Sequence, residues 1–389
     1  MTATDTPAVA QAIETTDKVL SHLHPEGSTD VADHAIPSGH EEIWRFTPMR
    51  RMRDLHKDAA FGGPIEVSID KPAQVAAEVS AAATDQQGVT GFLPTDRVTA
   101  RAWHAAGEVR TITVPGDVVL DEPVVVRHTG GDAGTAVAAH TVVVAGKFSK
   151  STVVFDFQGS STLADTVEFL VEDGAQLTVV VVDDWADDGF HHSAQHARIG
   201  RDAQFKHIAV TFGGDLVRAN TSVSYAGPGG QAELLGIYFA DAGQHIEHRL
   251  FVDHDAPKTK SNVDYKGALQ GKDAHTVWIG DVLIRKVAEG IETYEANRNL
   301  VLTEGCRADS VPNLEIETGE IEGAGHASTT GRFDDEQLFY LQSRGIPAEE
   351  ARRLVVRGFF ADIIRKIGIP SIEEKLIEAV EVELARSNA

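Results

Sequence analysis

The sequence predicts a mainly β protein, a parallel β-helix core flanked by N-terminal and C-terminal α-helical regions. Three observations predict it. From about Val118 to Glu317, short Val/Ile/Thr runs recur between Gly, Asp or Asn: HTVVVAGKFSKSTVVFDF, TVEFLVEDGAQLTVVVVDDW, ARIGRDAQFKHIAVTFGG and GQAELLGIYFADAG. A similar corner returns at Asp173-Gly174-Ala175-Gln176, Asp202-Ala203-Gln204 and Gly229-Gly230-Gln231-Ala232, roughly 28 residues apart. No helical crossover separates the runs. A sandwich also uses regular short strands, but the repeated corner favours stacked coils that bury inward Val, Leu and Ile in one continuous core.

In chain order, residues 1–115 read as a helical and mixed N-terminal region, 116–333 as the β-helix core and 334–389 as a C-terminal helical domain. Thr6 to Leu23 has helical apolar spacing at Val9, Ile13 and Val19, and residues 24–39 read as a polar linker. Trp44 and Phe46 alternate as in a strand, and Arg50, Arg51 and Arg53 read as a solvated basic face that offsets local acid. Pro72 to Ala83 reads as a helix opened by its proline. VRTITVPGDVVLDEPVVVRHT then alternates Val, Ile and Thr between Pro/Gly corners and begins the long β section.

Beyond Gly331 the period changes. Asp334 with Gln337 forms a capping box, followed by apolar Leu338, Phe339 and Leu341. Gly345 suits a left-handed stop and Pro347 the first turn of another helix. That helix places Ala351, Leu354, Val355, Phe359 and Ile363 on one face. Ser371 with Glu374 makes a second box, before an apolar stripe of Leu376, Ile377, Val380 and Leu384. These helices are expected to cover the end of the solenoid and its strand edges.

Composition bounds the function. A chain of 389 residues with 42% apolar content can bury a large core, and a formal net charge of -24 argues against nucleic acid and anionic membranes as direct partners. The one cysteine, Cys306, forms no internal disulfide and cannot hold a four-thiolate cluster alone; its plain reading is a small buried hydrophobe. The absence of a signal-like N-terminal run or a long apolar stretch leads to a cytoplasmic expectation. No GxxxxGK[ST] phosphate loop or GxSxG elbow is visible, so ATP, if used, binds elsewhere. His245 and His248 fall on a strand, where they point opposite ways and make a poor metal pair. His191 and His192 lie in the acidic loop DDWADDGFHHS and suggest adventitious metal binding at most; His254 suits hydrogen bonding at a coil corner.

Four ordered blocks carry a family resemblance: HEEIWRFTPMRRM (His40 to Met52), HDAPKTKSNVDYKGAL (His254 to Leu269), NRNLVLTEGCRADSVPNLEIE (Asn297 to Glu317) and GHASTTGRFDDEQLFYLQSRGI from Gly325. Together the chain resembles the SufB/SufD family, scaffold subunits of the SUF iron–sulfur cluster assembly machine. The resemblance implies a right-handed β-helix and a non-enzymatic role. It places His326 at an interface between SufB and SufD, where a nascent iron–sulfur cluster forms. Ala324 stands where the family often has a cysteine, so that thiol is absent. The SufB assembly cysteine aligns near Asn297 and not with Cys306, which makes the chain SufD-like.

The implied partners are a SufB-like chain paired edge to edge through the last strands and a SufC-like ATPase, carrying the ATP, on the C-terminal helices. Phe339, Tyr340, Arg344 and Phe359 are the residues expected to meet partners there. No cofactor is expected to stay on this chain alone, and an isolated chain can form a homodimer through the same edge. Two rivals remain at this point. One is a homomeric scaffold of the same type. The other is a β-helix polysaccharide lyase or hydrolase, for which Asp183, Asp184, Asp187 and Asp188 supply acids, though clustered in one loop.

Overall fold

A computed structural model describes residues 26–81, 86–333 and 335–368, with 370, 373, 374, 377, 378 and 380–382. The N-terminal part contributes strands β1 (Glu66–Asp70) and β2 (Ala76–Ala81), helix α1 (Arg97–Ala105) and strand β3 (Glu108–Val114). Two long strands follow, β4 (Val124–Ala145) and β5 (Lys150–Val171). Ten shorter ones come next: β6 (Gln176–Trp185), β7 (Phe190–Ile199), β8 (Gln204–Phe212), β9 (Leu216–Tyr225), β10 (Gln231–Ala240), β11 (His245–His254), β12 (Lys260–Leu269), β13 (His275–Ile284), β14 (Glu292–Val301) and β15 (Arg307–Ile316). The chain continues through β16 (Gly323–Arg332) into helices α2 (Asp335–Ser343) and α3 (Ala348–Ile367).

The strands form a parallel β-solenoid of about 8 turns. Even-numbered strands from β6 to β16 stack as one face and odd-numbered strands from β7 to β15 as the other. β5 bends to serve both, pairing β6 through Lys150–Gly159 and β7 through Thr162–Val171. The bend is made by Gly159 at φ +84, where an added Cβ would lie 2.3 Å from the Gly130 carbonyl oxygen of the coil below. The predicted corners stack in register, with Gln176 beside Gln204 and Gln204 beside Gln231. Each corner turns on one left-handed residue, Gly174 at φ 69, Asp202 at φ 53 and Gly229 at φ 79.

Three apolar interfaces hold the body. Inward residues such as Phe155, Phe169, Phe205, Leu234 and Trp278 fill the lumen. The even face is apolar on its outside too: Val180, Ile208, Val210, Leu235 and Ile237 pack against Val356, Phe360, Ile363 and Ile364 of α3. Strands buried on both faces read as continuous apolar runs. On the odd face, Trp44, Met52, Leu55, Val98 and Ala102 pack over Ala164, Phe190 and Leu216.

Several expectations are corrected. Residues 76–81 are a strand, antiparallel to β3: alanine-rich helix propensity is a weak prior, and the β3 edge supplies ladder partners. Trp44 ends a short 3₁₀ helix (Glu42–Trp44) and lies under the buried Arg218 guanidinium, 4.2 Å from its ring centroid. Of the arginine run only Arg50 is exposed. Arg51 binds Asp215 at 2.6 Å, and Arg53 donates to the Ala133 and Asp188 carbonyls, so this run staples the N-terminal segment to the coils. The polar stretch before it is also tied down, through Arg97 donating to the Val31 and His34 carbonyls at 3.0 and 3.1 Å.

Helix α3 covers the flank of the solenoid, and among the described residues no helix covers its end. The buried stripe of α3 is Ala351, Val356, Phe360, Ile363 and Ile364, with Leu354 exposed, because the apolar outer surface of β6 to β12 sets which side turns inward. Lys266 donates to the Phe359 carbonyl at 2.8 Å and Lys366 pairs with Asp264 at 3.0 Å, fixing α3 along β12. Gly345 and Gly368 take the left-handed stops at φ 86 and 70. The helix drawn over Thr6 to Leu23 and the capping residues Asp334 and Ser371 lie outside the described residues.

Candidate functional site

The last coil forms the site. β16 pairs β14 along one edge and β15 pairs β13 along one edge, and both strands end the sheet. The opposite edges therefore carry ladder groups that no further coil among the described residues takes up. His326 stands on β16 in register with Glu295 of β14. Strand alternation puts both on the lumen side with Ala324, which packs against the lumen core. With no coil above it among the described residues, the His326 side chain stays 44% exposed, and its Nδ1 lies 3.9 Å from Glu295 Oε1. The small neighbours Gly325 and Ala327 leave its strand low, and Gly325 lies against the ring of Tyr294.

Glu295 is the residue that the sequence reading missed. Its side chain is 2% exposed. Burial, with Asp281 adding to it, pushes its carboxyl up to about 8. Glu295 sits 31 positions before His326, one coil of this solenoid, in the inward series Thr293, Glu295, Asn297 and Asn299. That polar run at period two was the available signal. Deeper in, Asn297 donates to the Tyr238 hydroxyl at 2.8 Å, which donates to Asn299 at 2.7 Å. Asn297 is thus part of a satisfied buried amide ladder.

The other candidates separate from this site. Cys306 is half-buried at the turn opening β15, its thiol donating to the Gly271 carbonyl at 3.2 Å. His254 bonds Thr259 at 2.7 Å and Ser261 at 3.0 Å at a coil corner, as expected. His248 points into the lumen near Thr211, while His245 faces outward to Glu247 and His275, so the two do share no face. His191 and His192 are fully buried on β7 and not in an open loop. His191 lies between Asp183 at 2.7 Å and Asp165 at 3.1 Å; burial opposes its charge, yet the two carboxylates raise it to about 10. Among the described residues no group of three or more His, Cys, Asp or Glu is placed to hold a metal, and no helix is long and apolar enough to cross a membrane.

On α2, Phe339 is 71% and Tyr340 56% exposed, with Arg344 stacked 4.7 Å over the Tyr340 ring. These three form an outward patch. Phe359 does not join it, since it faces the body, 5.0 Å under Lys266.

Residues 127–359 match the SufBD core domain of the SUF iron–sulfur cluster assembly system. The chain belongs to the SufBD family. It is 54% identical over 364 residues to the iron–sulfur cluster assembly SufBD family protein ML0594 of Mycobacterium leprae, covering 92% of this chain and 93% of that one. The SufBD family protein Rv1462 of Mycobacterium tuberculosis is 53% identical over 92% of this chain and 91% of its own length. The iron–sulfur cluster assembly protein SufD of Bacillus subtilis is 28% identical over 69% of this chain and 62% of its own. SufBD membership supports the scaffold-type reading over the carbohydrate-enzyme rival, and Asp183 is engaged with His191.

Proposed function

We propose that this chain is a SufD-like scaffold subunit of a cytoplasmic SufB–SufC–SufD complex and is not itself an enzyme. A SufB-like chain pairs with the free edge of the last coil by strand addition, which uses the unpaired backbone groups there. A SufC-like ATPase docks on the C-terminal helices. When two such ATPases close on ATP, they pull on the two scaffold chains together and open the interface. Iron and sulfide then meet at His326 and at thiols of the partner, and the nascent cluster leaves without remaining on this chain.

The single observation that carries this reading is the open last coil. It combines an unpaired strand edge with an exposed imidazole directed over the lumen mouth, in a chain of the SufBD family. The stiff stack of coils supports the mechanical part, because a pull on α3, anchored along β12, is passed to β14 and β16 through continuous ladders.

The test is co-expression with SufB-like and SufC-like chains, followed by purification and anaerobic reconstitution. A three-component complex is expected, and His326→Ala should leave it assembled while cluster formation falls to background. Full cluster formation by this chain alone as a homodimer would replace the reading with the homomeric scaffold.

A further inference from the structure

Beneath the open end, the lumen holds polar atoms that the fold leaves without partners. Thr276 Oγ1, Trp278 Nε1, Glu295 Oε1 and Ser310 Oγ are all buried there with no hydrogen bond. They lie on the inward sides of β13, β14 and β15, where Trp278 is in register with Ser310. An unpaired buried polar atom costs roughly 1–3 kcal/mol, and of these four Glu295 Oε1 is the one that lies beside His326, 3.9 Å from its Nδ1. Room for the carboxylate depends on Gly280: an added Cβ would lie 2.3 Å from Glu295 Oε2 and 2.4 Å from the Trp278 ring.

We propose that Glu295 is a metal-ligating residue, the second donor beside His326 in this chain's half of a site for a divalent transition metal, with iron(II) as the physiological ion. One carboxylate and one imidazole are a donor set suited to iron(II). Two bonds of about 2.1 Å at a tetrahedral angle span about 3.4 Å. The present separation of 3.9 Å closes to that by a small rotation of the exposed imidazole. With no third His, Cys, Asp or Glu grouped there among the described residues, the remaining ligands come from a chain paired on the free edge of β16. The identity of that chain rests on the function proposed above; the two-donor half-site does not.

The test titrates the full-length chain with Co²⁺ alone by calorimetry and visible absorption. The binding event missing in His326→Ala defines the site. Glu295→Gln, which keeps the shape and removes the charge, is expected to weaken that event at least tenfold while the variant unfolds at the same or a higher temperature. Wild-type affinity in Glu295→Gln, or the absence of any His326-dependent event, overturns the proposal. Cluster yield in the co-purified complex separates the two readings. If the complex forms and depends on His326 but not on Glu295, this inference alone fails. If no complex forms, the scaffold assignment fails and the Co²⁺ result decides the half-site by itself.

Discussion

β10 and β16 have ten residues each and the same parallel register, yet their surroundings differ completely. β10, QAELLGIYFA, has a strand on both edges, the lumen on one side and α3 on the other, and all but two of its residues are buried. β16, GAGHASTTGR, has one neighbour and no buried residue. A β10-like strand at the open end would present an apolar edge and invite aggregation. Small and polar residues keep the end soluble while its backbone groups stay free for a partner. Stability therefore resides in the middle coils, and the last coil, which adds little to it, is the one the proposed function uses.

The largest effects should fall in the middle. Phe205→Ala, which empties a fully enclosed part of the lumen, should cost about 3–5 kcal/mol in chemical denaturation. Ser328→Ala at the open end should stay within about 0.5 kcal/mol. Equal losses at the two positions would erase the contrast between them.

A buried ion pair gives the next effect. Replacing His191 by Gln leaves Asp165 and Asp183 facing each other in the core, at a cost of about 3–5 kcal/mol near neutral pH. The sign with pH follows from the folded imidazole titrating higher than the free one. Its stabilisation is complete below about pH 6.5. It declines as pH rises toward about 10, where the folded group deprotonates. The wild-type advantage over His191→Gln should shrink steadily between those values; a constant gap would mean that His191 is not charged in the fold.

At the open end a substitution should stabilise. The folded Glu295 carboxyl titrates near 8, well above a free glutamate. Below about pH 4 both states are protonated and Glu295→Gln changes nothing. As pH rises, the unfolded chain ionises first, so the wild type loses stability that the Gln variant keeps. The variant should be more stable by about 3 kcal/mol at pH 7. A stabilising loss of a buried acid is expected where the acid serves function and not folding. Thermal unfolding from pH 4 to 8 checks this, and a destabilised variant at pH 7 would make Glu295 structural.

Legibility followed the same division. The coils were readable because doubly buried strands and left-handed corners impose a pattern at every turn, as at Gly174, Asp202 and Gly229. His326 was reachable through family resemblance, since one histidine among small residues has no pattern of its own. Glu295 was missed because its role depends on a neighbour 31 residues away, visible only once the register is known. Residues 76–81 and Trp44 were misread because partners distant in sequence, β3 and Arg218, decide their conformation. The placement of α3 escaped for a related reason: the coil pattern assigns apolar residues to the inward core alone, whereas the outer side of the even strands is a second apolar surface that takes the helix.

The smallest stability change should accompany a large loss of ATPase capture. Deleting everything after Phe333 is a poor test of docking, because it also strips α3 from Ile208, Val210, Leu235 and Ile237 and exposes that flank. Phe360→Ala has the same defect, since Phe360 is fully buried. Phe339 and Tyr340 project into solvent from α2, so the double change Phe339→Ser, Tyr340→Ser removes an outward patch without opening the core. Its unfolding free energy should match the wild type within about 0.5 kcal/mol. Co-purified SufC-like ATPase should drop at least tenfold while a SufB-like chain remains bound. Retention of the ATPase by this well-folded variant would move its docking surface off α2, to the exposed side of α3.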